Sequence, residues 1–397
     1  MNGEQKTAVN VTKRVTMTAV TWQSVMEQEV VEKERRLIRR FQSGECLYRQ
    51  GRVLMLILPE GRRTLVTSYM NGGYQEGLQA VFNSQTIDGD HALVKIEDYS
   101  QFLRATAEQV GLDPERCAGL STAARMDNAA LVTKRFKATE VTAIVTAGIE
   151  CNGGRAGDPA AYNEVRGVEF LGGTIVTMLL INGDLPRQTM ARAIMTATEA
   201  KTCALQQLMA HSRYSTGIAT GSGTDQIAII ADPGSSNRLT DAGKHSKLGE
   251  LVGQCVIEAT SQALDKQNGL NPLSQRNALV RLQRFRVTER DIWMSSQKFP
   301  GSCGEQDFLR SLSALAGRPD VVAATGSILH LMDEISWGLI PEDVGRRMGA
   351  ALVKDLPRTL NAPEEGLPDL VVDEAVDPVP NLVDGLAQMA KYGRWCT

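Results

Sequence analysis

Metal-ligating pairs are missing from this 397-residue chain. Its four histidines, His91, His211, His245 and His330, include no two at metal-ligand spacing, so no metal site is expected and a zinc hydrolase is disfavoured. Seven cysteines are scattered without a Cys-x-x-Cys pair, which argues against a zinc knuckle and a disulfide scaffold alike. A reducing cytoplasm fits that usage best. Excess charge of one sign is also missing. The net charge of −3 makes no electrostatic case for nucleic acid or an anionic membrane. No uninterrupted apolar run approaches ~20 residues, so no membrane span is expected. The first residues lack the apolar stretch of a signal peptide.

What is present is an ordinary globular composition, 42% hydrophobic and 22% charged. Residues 1–45 are polar, with a charged helix predicted around 24–40, where Ser24 and Glu27 have capping-box spacing. Residues 46–270 hold most of the glycine-rich motifs and alternate strands with helices. A hairpin is predicted from 47–49 and 53–58 around Gln50-Gly51. Further strands are predicted at 64–68, 141–146, 175–181 and 227–231, and helices at 99–110, 186–210 and 246–265. Asp184 is a candidate N-cap for the second helix. The expected fold is α/β, with α+β left open: a mixed, partly antiparallel sheet packed with helices. Residues 271–355 read as a helical extension, with helices at 272–285, 306–315, 321–334 and 341–353. Their apolar faces would pack on the core or on another subunit, which leaves a homo-oligomer open. Residues 356–397 form an acidic, proline-rich tail, irregular over 357–384, with a short C-terminal helix.

Three stretches carry chemistry. Residues 146–158 follow a buried strand and contain four glycines, which let backbone approach a ligand closely. Asn152, Arg155 and Asp158 supply donors and acceptors there, at a strand end where α/β folds place their sites. A plain surface loop of turn formers is the alternative. On helix 186–210 the apolar residues Met190, Ile194, Ala197, Ala204 and Leu208 leave one gap, filled by Lys201. A buried ammonium is costly unless paired. Lys201 is therefore an anion or carbonyl partner or a base, unless it snorkels to water along the helix edge. Glu199 falls roughly on the opposite side of the helix. Residues 220–225, Thr-Gly-Ser-Gly-Thr-Asp, read either as a nest of N–H groups for an oxyanion or as a tight turn. His245, ahead of a helix, is read as a base or as a capping residue. Cys151 sits in a site loop with no assignable histidine partner.

Asn71-Gly72-Gly73, Thr146-Ala147-Gly148, Arg155-Ala156-Gly157-Asp158, Gly173-Thr174-Ile175, the run Thr196 to Thr202, Ala219-Thr220-Gly221, Gly223-Thr224-Asp225 and the run His245 to Glu250 follow one another in a specific order. In this order the chain resembles the adenosylcobinamide amidohydrolases over about residues 45–265. It departs from them in reading Val176-Thr177 where asparagine is usual, Ser222 for threonine, and glycine rather than alanine after Asn152.

The resemblance implies cleavage of the amide joining aminopropanol to the corrin ring, giving adenosylcobyric acid and 1-amino-2-propanol for cobalamin salvage. The cobalt-containing corrinoid is then the substrate, and no cofactor is required. No Ser-His-Asp or Cys-His arrangement is evident, which leaves carboxylate-activated water or an activated hydroxyl. The roles expected on residue chemistry are as follows. Glu199 or Asp225 activates water, and Lys201 stabilises charge or donates a proton. Thr220, Ser222 or Thr224, with loop N–H groups, holds the carbonyl oxygen. Asn71, Gly72, Gly73, Thr146, Asn152, Arg155, Asp158, Thr174 and His245 contact substrate. Two competing readings are a corrinoid carrier without hydrolysis and a self-processing hydrolase cut before a residue such as Thr174.

Overall fold

The computed structural model describes residues 34–86, 96–160, 173–360 and 370–393. Two sheets form the centre of residues 36–231. The first has the order β1 (Arg36–Arg40), β2 (Cys46–Gln50), β3 (Val53–Ile57), β6 (Ala80–Gln85), β7 (Cys117–Thr122), antiparallel except for the β6–β7 pair. The second has the order β5 (Gly73–Glu76), β4 (Arg63–Val66), β13 (Gln226–Ala231), β11 (Thr174–Ile181), β9 (Thr139–Gly148), β8 (Ala130–Phe136), with only β11 and β13 parallel. A two-stranded ladder joins β10 (Gly153–Gly154) to β12 (Gly221–Ser222).

Alternation along the strands dictates how these sheets stack. Leu47, Leu56, Val81 and Leu120 of the first sheet meet Ile144, Val176, Met178 and Ile230 of the second in one apolar layer. The opposite face of the first sheet, with Met55 and Phe82, packs on Tyr99, Leu103 and Ala107 of α1 (Ile96–Gln109). The opposite face of the second, with Val145, Leu179 and Ile229, packs on α2 (Arg187–Gln207) and α3 (Lys247–Asn268). The result is four layers, helix, sheet, sheet, helices. Each fully buried Leu, Ile or Phe contributes about 1.5–3 kcal/mol.

Both sheets turn polar at one end of this sandwich. Asn83 and Ser84 close β6, Ser121 and Thr122 close β7, and Thr146 lies near the end of β9. Thr174 opens β11 and Gln226 opens β13, and the strand registers bring all of them to the same end. Hydrogen bonds cross between the sheets there, from Asn83 Nδ2 to Thr146 Oγ1 at 2.9 Å and from Thr122 Oγ1 to Thr174 O at 3.4 Å.

A second core holds the extension together: α4 (Ala278–Leu282), α5 (Glu289–Ser296), α6 (Glu305–Ala316), α7 (Pro319–Ser336), α8 (Glu342–Thr359) and α9 (Pro378–Tyr392) around Phe308, Leu312, Ile328, Val353 and Leu386. The fold is thus mixed α/β with C-terminal helices, as expected.

Three local expectations are corrected. The predicted helix around 24–40 lies partly outside the described residues, and its Arg36–Arg40 portion is a strand, because it gains backbone pairing with Cys46–Gln50. Asp184 does not cap α2: its carboxylate is 2.5 Å from Arg63 Nη1, and Pro186 occupies the N-cap. The stretch 357–384 is not irregular throughout, since α8 runs to Thr359 and α9 buries Leu382, Leu386 and Met389 in the extension core.

Candidate active site

Lys201 does not snorkel. Its side chain is 9% exposed and its ammonium forms an ion pair with Asp225, which is 12% exposed. The gap in the apolar stripe of α2 therefore faces the turn before β13. Burying an ammonium costs several kcal/mol, so the carboxylate opposite is required. Gly221 makes the approach feasible: a Cβ there would lie 2.2 Å from Asp225 Oδ2 and 2.6 Å from Lys201 Nζ.

The carboxylate is held on every side. Its Oδ1 accepts from Ile175 N at 3.0 Å and from Ser222 Oγ at 2.7 Å, and its Oδ2 accepts from Ser222 N at 3.0 Å and from Lys201. From there a row of hydroxyls leads to the polar end of the sandwich. Ser222 Oγ is 3.2 Å from Thr224 Oγ1, which is 2.7 Å from Thr174 Oγ1. Thr174 and Thr224 also reach Gly173 O, at 2.6 and 2.9 Å. Asn152 donates to the same carbonyl at 2.6 Å. Gly173 has φ +102°, and a Cβ there would meet Asn152 Oδ1 at 2.5 Å, so only glycine lets this corner close.

Thr220 fastens the surrounding loops. Its hydroxyl accepts from Ala156 N at 2.9 Å, and its carbonyl accepts from Thr202 Oγ1 of α2 at 2.9 Å. Asp158 Oδ2 accepts from Arg155 N at 2.7 Å and from Ser212 Oγ at 2.5 Å. Burial pushes that carboxyl up, but the bonds from Ser212, Ser215 and the Arg155 amide outweigh it and hold it below the usual carboxylate range.

The structure thus brings together Lys201, Ser222, Thr224, Asp225, Thr174 and Asn152, with Thr146 nearby between the sheets and Thr220 and Asp158 bracing the loops. Six of the expected site residues have side chains or turns outside this cluster. Glu199 lies on the outer side of α2 and pairs with Lys244 at 2.7 Å, both largely in water. His245 is exposed ahead of the N-cap Ser246 of α3, whose other end reaches Gly148 through Gln267. Through the Lys244–Glu199 pair this stretch lies along the outer side of α2, away from the face that carries Lys201. Asn71, at φ +51°, donates to Pro114 O and Cys117 O at 2.7 and 2.8 Å, and so clamps the opposite end of β7. Gly72 and Gly73 complete that turn, since a Cβ at 72 would meet Ser68 O at 1.9 Å and Gly73 has φ +79°. Arg155 is exposed and lies over Gly217, where a Cβ would come within 2.7 Å of its Cδ.

Other residues of this end escape a motif search. Gln226 Oε1 accepts from Ser121 N at 3.2 Å, and Tyr99 OH lies 2.6 Å from Ser121 Oγ and 3.2 Å from Gln226 Nε2. The signal that marks them is a polar residue at an inward position near a strand end, as Asn83 after Val81 and Thr122 after Leu120. A cavity of about 190 Å³, lined in part by Ile149, His211, Arg213 and Asn268, backs onto the 149–154 turn and is separate from the hydroxyl row. Among the described residues no group of three His, Cys, Asp or Glu side chains is arranged to hold a metal ion, and no helix is long and apolar enough to cross a membrane.

The chain is similar to known proteins over the region that carries this geometry. The family model CbiZ, adenosylcobinamide amidohydrolase, matches residues 36–272, more than half of the chain and every member of the cluster. An uncharacterized protein, MJ1613 of Methanocaldococcus jannaschii, is 33% identical over 228 residues, covering 53% of this chain and 88% of that protein. The PH0078 protein from Pyrococcus horikoshii OT3 aligns in structure over 53% of this chain and 76% of its own, at 13% identity and a TM-score of 0.30, a likeness too distant to bear on the fold. With its buried Lys201–Asp225 pair and hydroxyl row inside the matched segment, the chain belongs to the adenosylcobinamide amidohydrolase family.

Proposed function

We propose that the protein hydrolyses the aminopropanol amide of adenosylcobinamide, releasing adenosylcobyric acid and 1-amino-2-propanol, as a cytoplasmic salvage step that uses no cofactor. The observation that carries this reading is the row Thr174–Thr224–Ser222–Asp225, a chain of hydroxyls that ends on a carboxylate fixed by Lys201.

Hydrolysis needs a base for water, stabilisation of the oxyanion and a proton for the leaving amine. The hydrogen-bond directions suit a relay. Ser222 Oγ donates to Asp225 and so accepts from Thr224, and the relay runs when Thr224 and Thr174 turn their single protons along the row and away from Gly173 O, to which both also donate. Water held at Thr174 loses a proton along this row to Asp225 as its oxygen bonds to the amide carbon. The same row returns the proton to the nitrogen as the C–N bond breaks, leaving a carboxylic acid and an amine. Lys201 keeps its own proton and holds Asp225 in place while the carboxylate takes up and returns the proton. Asn152, Thr220 and Asp158 hold the loops in register.

The test is incubation of the purified chain with adenosylcobinamide and identification of both products by mass. Tight binding without product selects the carrier reading. A chain cut before Thr174, in place of intact mass near 43.1 kDa, selects the self-processing reading.

A further inference from the structure

Tyr69 is 58% exposed in a segment where its neighbours are fixed. Residues 67–71 leave β4 and cross from the second sheet to the first. Thr67 N donates to Ile227 O at 3.0 Å, and Thr67 Oγ1 accepts from Ile227 N at 2.9 Å. Ser68 Oγ donates to Gly119 O, and Met70, fully buried, bridges Gly119. Alternation then turns Tyr69 outward. Its ring is not loose, for it meets the buried Tyr99 edge-on, with centroids 5.6 Å apart at 84°. Tyr99 is itself supported by Phe102, at 6.5 Å and 23°, and by its hydroxyl bonds to Ser121 and Gln226. Gln226 directly follows Asp225. A supported ring with one side in water thus stands at the polar end of the sandwich, linked through Tyr99 and Gln226 to the turn that carries Asp225.

We propose that Tyr69 is a substrate-binding residue, its exposed ring packing on the flat face of the corrin macrocycle whose amide arm reaches the hydroxyl row. This rests on the functional reading above. The scissile amide sits on an arm projecting from the macrocycle edge, so the ring itself lies outside the hydroxyl row, where Tyr69 stands. Aromatic faces offer a large apolar contact with a preferred stacking geometry, and Tyr69 contributes it without reorganising because Tyr99 already orients it.

The experiment compares wild type with Tyr69→Ala and Tyr69→Phe. It reads the dissociation constant for dicyanocobinamide from the corrin absorbance, KM and kcat for adenosylcobinamide, and the melting temperature. Tyr69→Ala weakens dicyanocobinamide binding and raises KM about tenfold, with kcat within about twofold of wild type. Tyr69→Phe keeps wild-type values, because the contact is made by the ring face. A Tyr69→Ala variant with wild-type dissociation constant and KM overturns the inference, as does one in which only the melting temperature changes. Wild type that binds dicyanocobinamide but releases no aminopropanol defeats the hydrolase reading instead, and the binding comparison still decides the role of Tyr69.

Discussion

The Lys201 ammonium and the Asp225 carboxylate meet in a buried ion pair that fastens α2 to the turn before β13. Removing one partner leaves the other charge buried and unpaired, which costs about 3–5 kcal/mol. Lys201→Met is therefore expected to lower the unfolding free energy measured in urea by that amount, with a lower midpoint, and to cut turnover about 100-fold. A wild-type midpoint in that variant contradicts the pairing described.

Gly221→Ala tests the same corner without touching a charge. The new methyl would press on both Asp225 Oδ2 and Lys201 Nζ, so the pair must separate. Turnover should fall at least about tenfold with a stability loss of roughly 1–3 kcal/mol, the usual range for an overpacked site. A variant with full activity and an unchanged melting temperature would show that this contact is loose.

The hydroxyl row predicts a pattern of non-additivity. Ser222→Ala and Thr224→Val should each reduce kcat about 100-fold, the usual size of one proton-transfer contribution. The double variant should be scarcely worse than either single one, because a relay broken once carries nothing further. Thr174→Ser should retain most activity, since it keeps the hydroxyl. Glu199→Ala serves as the control, as an exposed ion pair contributes about 0–1 kcal/mol and touches no part of the row. Steady-state kinetics on the five proteins decide between a relay and independent contacts.

His211 links pH to stability. Burial first, then Arg213 and Arg284, hold its imidazole below the ordinary histidine value of about 6.5. Between the folded and unfolded values the unfolded chain binds more protons, so stability falls as pH drops through that ordinary value and levels off below the folded one. Above it the ring is neutral in both states and the term is constant. His211→Gln should flatten this part of the curve in urea titrations between about pH 8 and about pH 5. A variant whose slope equals that of wild type would refute the assignment.

The long elements and the centre of the site were legible in the sequence for separate reasons. Lys201 stood out because it occupies an apolar stripe, and Ser222, Thr224 and Asp225 because small polar residues crowd a turn before a buried strand. The same method placed Asn71 and His245 in the site because loop residues carry no signal of which strand end they join. Asn71 serves β7 from its far end, and His245 is exposed beside the outer side of α2. Strands β6 and β7 went unread, since Asn83, Ser84, Ser121 and Thr122 interrupt their apolar pattern. Those interruptions are the polar end of the sandwich, so the feature that hid the strands is the one that forms the site. Tyr69 and Tyr99 meet only through the fold, being 30 positions apart.

Mass analysis of adenosylcobinamide after incubation with wild-type protein and with Lys201→Met tests the functional reading at its root. Adenosylcobyric acid and 1-amino-2-propanol should accumulate together in equal amounts with wild type, and about 100-fold more slowly with the variant. Intact adenosylcobinamide after prolonged incubation with folded wild-type protein, or equal rates from the two proteins, would contradict it.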